Sequence, residues 1–84
     1  MGAKAPALTG RQLIRLLEKD GWVVARQARH GLAMTKTFED RIRVTIVPNT
    51  RASLDKGTLA AILGIKQTCI GKDGLRALIG KHGL

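Results

Sequence analysis

Residues 21–48, GWVVARQARHGLAMTKTFEDRIRVTIVP, decide the fold. Trp22 to Gln27 is rich in aromatic and β-branched side chains, and Leu32 to Thr37 continues in an extended pattern after a turn near Ala28 to Gly31. Phe38 to Arg41 makes the next reversal. Ile42 to Val47 alternates, with Ile42, Val44 and Ile46 on one side and Arg43 and Thr45 on the other, which predicts a strand whose apolar side is buried and whose polar side is wet. Pro48 and Asn49 end it, so three short strands follow one another through tight turns.

The flanks of this meander are helical. Thr9 is placed to N-cap a helix running to about Asp20, with Leu13, Ile14, Leu16 and Leu17 on one face and Gly21 as its stop. Arg11, Arg15 and Lys19 lie one turn apart on the opposite face. A second helix is predicted from near Asp55, carrying Leu59, Ile62 and Leu63 inward and ending at Gly64. A short last helix over Lys72 to Ile79 is weakened by Gly71, Gly74 and Gly80. The order α-β-β-β-α implies an α+β domain of two layers, with a three-stranded antiparallel sheet whose one face takes Leu13, Leu17, Leu59 and Ile62. The other face is expected to be open and basic, free to hold a partner.

At 84 residues the chain makes one domain with a modest core. The predicted division is a flexible arm over residues 1–8, the domain over 9–80 and a tail over 81–84. With 15 Lys and Arg against 6 Asp and Glu, the net charge is +9. Such a balance favours nucleic acid, an anionic membrane surface or an acidic protein as partner. No run approaches the roughly 20 apolar residues that span a bilayer, and Met1 to Leu8 has no continuous hydrophobic segment. The expectation is a soluble, cytoplasmic protein. The single cysteine, Cys69, excludes an internal disulfide, and beside Ile70 it reads as a buried or half-buried thiol. Trp22 and Phe38 are the only aromatics, too few for a row of base-stacking rings, so contacts to phosphate and sugar are favoured. Trp22 itself reads as core.

Chemistry concentrates in Arg26-Gln27-Ala28-Arg29-His30-Gly31, which sets one histidine beside two arginines. Imidazole accepts and donates protons near neutrality, and guanidinium grips phosphate oxygens in pairs. The alternative is an ordinary turn histidine among solvated arginines. Arg11, Arg15 and Lys19 suit a phosphate backbone or an acidic protein, or are a solvated helix face. Arg41, Arg43 and Arg51 either complete a groove with Arg29 or guard an edge strand. Glu39 and Asp40 read as a hairpin tip and not a metal pair; His82 falls in a Gly-flanked tail.

Thr9-Gly10 opening an amphipathic helix, Gly21-Trp22, Arg26-Gln27, His30, Val44 to Pro48, and Gly57-Thr58-Leu59 with Ile62-Leu63 together resemble HicA-type (YcfA-like) toxins. The resemblance implies a double-stranded-RNA-binding-domain-like fold and an mRNA interferase of a toxin-antitoxin system, neutralised by a HicB-like antitoxin. It also implies that His30 is catalytic in a metal-independent RNA cleavage needing no cofactor. Arg26, Arg29, Arg11, Arg15, Lys19 and Arg43 would then bind RNA phosphates. Two departures stand out: Ala28-Arg29 precedes His30 where the family usually has Gly-Ser, and Asn49-Thr50 follows Pro48 where a histidine is frequent. The alternative function is a non-catalytic RNA- or DNA-binding module of the same fold.

Overall fold

The computed structural model describes residues 8–83. Its elements are α1 (Gly10–Lys19), β1 (Val23–Ala28), β2 (Gly31–Thr37), β3 (Ile42–Val47), α2 (Lys56–Leu63) and α3 (Gly71–His82). The predicted α+β order is present, with the three strands antiparallel in the order β1-β2-β3.

Helix α1 starts where its capping chemistry dictates. Thr9 Oγ1 accepts the Gln12 N–H at 3.1 Å, and Gln12 Oε1 accepts the Thr9 N–H at 3.0 Å, so each satisfies a donor the helix leaves free. Leu13, Ile14, Leu16 and Leu17 are buried, and Gly21, at φ +99°, turns the chain into Trp22 in the core. Leu8 was expected in the arm. It is instead buried, and its carbonyl accepts the Leu54 N–H at 2.6 Å. The rest of that arm, residues 1–7, lies outside the described residues.

The sheet register corrects one expectation. Leu32 pairs with Val47, Met34 with Thr45 and Lys36 with Arg43, which puts these six on the helix side. Ile42, Val44 and Ile46 therefore face away from the core and remain 63%, 51% and 42% exposed. Period-2 alternation shows that a strand has two faces but not which one is covered. Here the covered side is filled by Met34 and Val47, and its polar members are satisfied. Thr45 Oγ1 donates to Gln67 Oε1 at 2.6 Å, while Arg43 donates to the carbonyls of Ile65 at 2.9 Å and Gln67 at 3.3 Å. The open face is thus apolar, not basic as predicted.

In α2, Asp55 accepts the Thr58 N–H at 2.7 Å as N-cap, and Leu59, Ile62 and Leu63 are buried as predicted. Helix α3 extends beyond the predicted Lys72–Ile79, through Lys81 and His82 of the expected tail; Leu84 lies outside the described residues. Leu75 and Leu78 pack against α1 and α2, and this burial outweighs the helix cost of the glycines. Cys69 was expected buried or half-buried. It is exposed at φ +60°, because its N–H closes the α2–α3 turn on the Gly64 carbonyl at 2.9 Å. Among the described residues no helix is long and apolar enough to cross a membrane.

Candidate functional site

The β1–β2 hairpin is as short as hairpins become. Ala28 pairs with Gly31, leaving Arg29 and His30 as the two turn residues, both exposed. Gly31 is required there by contact: a Cβ on it would clash with the Val47 carbonyl and stand 2.8 Å from the Pro48 Cα. The end of β3 is thereby pressed against the turn, and Asn49 and Thr50 come to lie beside His30.

Helix α1 abuts the same segment. Gly10 packs on the Pro48 carbonyl, the Arg11 N–H donates to the Thr50 carbonyl at 3.1 Å, and Thr50 Oγ1 accepts the Ala52 N–H at 3.1 Å. The result is an open depression of about 360 Å³ lined by Gln27 to Leu32 on one side and Pro48 to Thr50 on the other. It gathers an imidazole, a guanidinium, two carboxamides and a hydroxyl, with the exposed Arg11 next to its Thr50 wall.

The sequence-predicted site residues do not all meet there. Arg29 and His30 line the depression. Arg26 pairs with Ala33 just past a bulge between Val24 and Arg26, which puts it on the open face of the sheet. Arg15 and Lys19 continue the exposed stripe of α1 away from Arg11, Lys19 being about 12 Å along the axis from it. Arg43 sits at the other end of β3, about 13 Å along the strand from Val47, with its guanidinium on two carbonyls and 5.9 Å from the Phe38 ring centroid. Its role there is to tie β3 to the α2–α3 turn.

Asn49 and Thr50 were not among the predicted site residues. Their signal was present: they stand where the resembled family often carries a histidine, directly after the strand-ending proline.

Charge reinforces the site. The ion pairs among the described residues are Lys36 with Asp20, Arg41 with Asp40 and Arg76 with Asp73. Arg29 in the depression and Arg11 beside it have none, so this end of the molecule carries uncompensated positive charge; Arg15, Lys19 and Arg26, farther off, have none either. A larger depression, about 390 Å³, lies at the other end among Lys36, Phe38, Arg41, Arg43 and Cys69. Its cations are already engaged with Asp20, Asp40 and backbone carbonyls, and it holds no histidine. The His30 depression is the better place for phosphate chemistry.

The family model described as HicA toxin of bacterial toxin-antitoxin matches residues 10–70, from the first residue of α1 to the end of the α2–α3 turn. The chain therefore belongs to the HicA toxin family. No curated protein and no solved structure matches it.

Proposed function

We propose that this member of the HicA toxin family is an endoribonuclease that cleaves mRNA in the cytoplasm at the β1–β2 turn, and that a HicB-like antitoxin neutralises it. The observation that carries the reading is the gathering of His30, Arg29, Asn49 and Thr50 in one cationic depression. Family membership supplies the toxin; the donor set suits RNA.

The chemistry follows from those groups. The RNA 2′-oxygen attacks phosphorus, the P–O5′ bond breaks, and the products are a 2′,3′-cyclic phosphate and a 5′-hydroxyl. His30 takes the proton from the 2′-hydroxyl or gives one to the departing 5′-oxygen. Arg29, with Arg11 from the adjoining helix end, offsets the charge that builds on the non-bridging oxygens. Gln27, Asn49 and Thr50 offer hydrogen bonds to ribose and base edges, and Arg26, Arg15 and Lys19 extend the contact along the backbone. The attacking and leaving oxygens stand on opposite sides of phosphorus. One imidazole serves one of them well, and a slow enzyme results.

A specific observation favours the second reading, a non-catalytic RNA-binding module. The His30 ring makes no hydrogen bond among the described residues, so nothing there fixes its orientation. The test is incubation of a long mRNA with the protein and with His30→Ala, with a chelator present and the fragment ends analysed. Cleavage by the unsubstituted protein alone, leaving cyclic phosphate ends, is the expected result. Equal gel shifts with no cleavage by either protein would establish the binding module.

A further inference from the structure

The register brings four exposed, branched apolar side chains onto the sheet face away from the helices: Val23 at 62% exposure with Ile42, Val44 and Ile46. They are connected across the strands. Val23 pairs with Thr35 and Thr35 with Val44, giving one row, and Arg26, Ala33 and Ile46 form the next, with directly opposed side chains about 5 Å apart. Ala33 is only 4% exposed under its neighbours, so the surface is continuous. Strand β3 is also an edge of the sheet, and it lacks the bulge that interrupts β1 at the other edge. A long apolar edge left uncovered invites pairing with another chain.

Of the charged side chains on these strands, only Arg26 projects from this face. Lys36 and Arg43 point to the helix side and are bonded to Asp20, Ile65 and Gln67. An RNA backbone is held by cations, so it is a poor occupant for valine and isoleucine. A second copy is opposed by the net charge of +9 that each chain carries. An acidic protein meets both demands: its apolar patch covers the stripe while its carboxylates face Arg26 and answer the chain's net charge of +9.

We propose that the open sheet face, centred on Ile42, Val44 and Ile46 of β3 with Val23 of β1, is the seat of the antitoxin, an acidic protein that packs apolar side chains on it. The partner's identity rests on membership of a toxin-antitoxin family and not on cleavage at His30. RNA and the antitoxin then share Arg26, but the apolar stripe serves the antitoxin alone, so the two activities separate by mutation at Val44.

The test is calorimetric titration of the full chain with its purified HicB-like antitoxin. Val44→Asp is expected to weaken binding by about tenfold or more, since it removes apolar contact and sets a carboxylate against an acidic partner. Val44→Thr keeps the β-branch and is expected to weaken binding several-fold, while Arg29→Ala leaves it within about twofold. Circular dichroism melts, unchanged for Val44→Thr, exclude unfolding as the cause, and the RNA affinity of this uncharged variant should be the same as the parent's. The proposal is overturned if folded Val44 variants bind the partner as tightly as the parent, or if the parent does not bind it. It is equally overturned if Val44→Thr loses RNA affinity, which would give the face to RNA, or if the variants dissociate a parent dimer, which would give it to a second copy.

Discussion

Gly31 stands against Pro48 so closely that a Cβ on the glycine would lie 2.8 Å from the proline Cα. Through that contact the end of β3 sets the position of the β1–β2 turn, and with it the spacing of His30 from Asn49 and Thr50. Gly31→Ala must push the strand end away or distort the turn. We expect a loss of about 1–3 kcal/mol in stability. RNA cleavage should fall further than the protein's melting temperature accounts for at an assay temperature where it remains folded.

Arg29 in the β1–β2 turn and Arg43 on β3 are both cations, yet they should respond in opposite ways. Arg29→Ala should weaken RNA binding across sequences and reduce the salt slope of log K by about one, with little effect on folding. Arg43→Ala removes the link from β3 to the Ile65 and Gln67 carbonyls. It should cost about 1–2 kcal/mol of stability and leave the RNA salt slope nearly unchanged. Filter binding over a salt series, paired with urea melts, separates the two.

Leu8 precedes the first helix, but it is 1% exposed and hydrogen-bonded to Leu54. Leu8→Ala should therefore behave as a core truncation, costing about 2–4 kcal/mol by urea unfolding. A value near zero would return Leu8 to the arm.

Asp55 caps α2, and hydrogen bonding from Thr58, first its side chain and then its backbone N–H, holds the carboxyl below its usual value of 3.8. A carboxyl depressed in the folded state binds its proton more readily when the chain unfolds. Its stabilising contribution is thus fully present above about pH 4 and disappears as the pH falls through the lower folded value. Asp55→Ala should lower the melting temperature at pH 7 and make little difference near pH 2. Parallel melts of the two proteins across this range would reveal a gap that closes with acid.

Helix starts and stops were legible because they are local. Thr9 with Gln12, Gly21, Asp55 and Gly64 act through bonds or dihedrals within a few residues, and each element they bound is where the sequence predicts it. The extent of α3 was not legible. Leu75 and Leu78 gain from packing on α1 and α2, a long-range term that no count of glycines contains.

The candidate site divides in the same way. His30 and Arg29 stood out by residue type and adjacency, whereas Asn49 and Thr50 join them only because Leu32 pairs with Val47. Arg43 had the right charge for a phosphate ligand, and its place in the register sent it to the far end of the sheet.

By itself the sequence determined a basic α+β chain with three strands between capped helices, and a histidine in the first hairpin turn, because capping, alternation and net charge are properties of short segments or of simple sums. Only the tertiary structure decided which face of β3 is covered. Alternation is symmetric between the two sides of a strand, and the symmetry is broken by what packs there. Met34, Val47 and the satisfied Thr45 and Arg43 closed the helix side, and Ile42, Val44 and Ile46 were left facing outward.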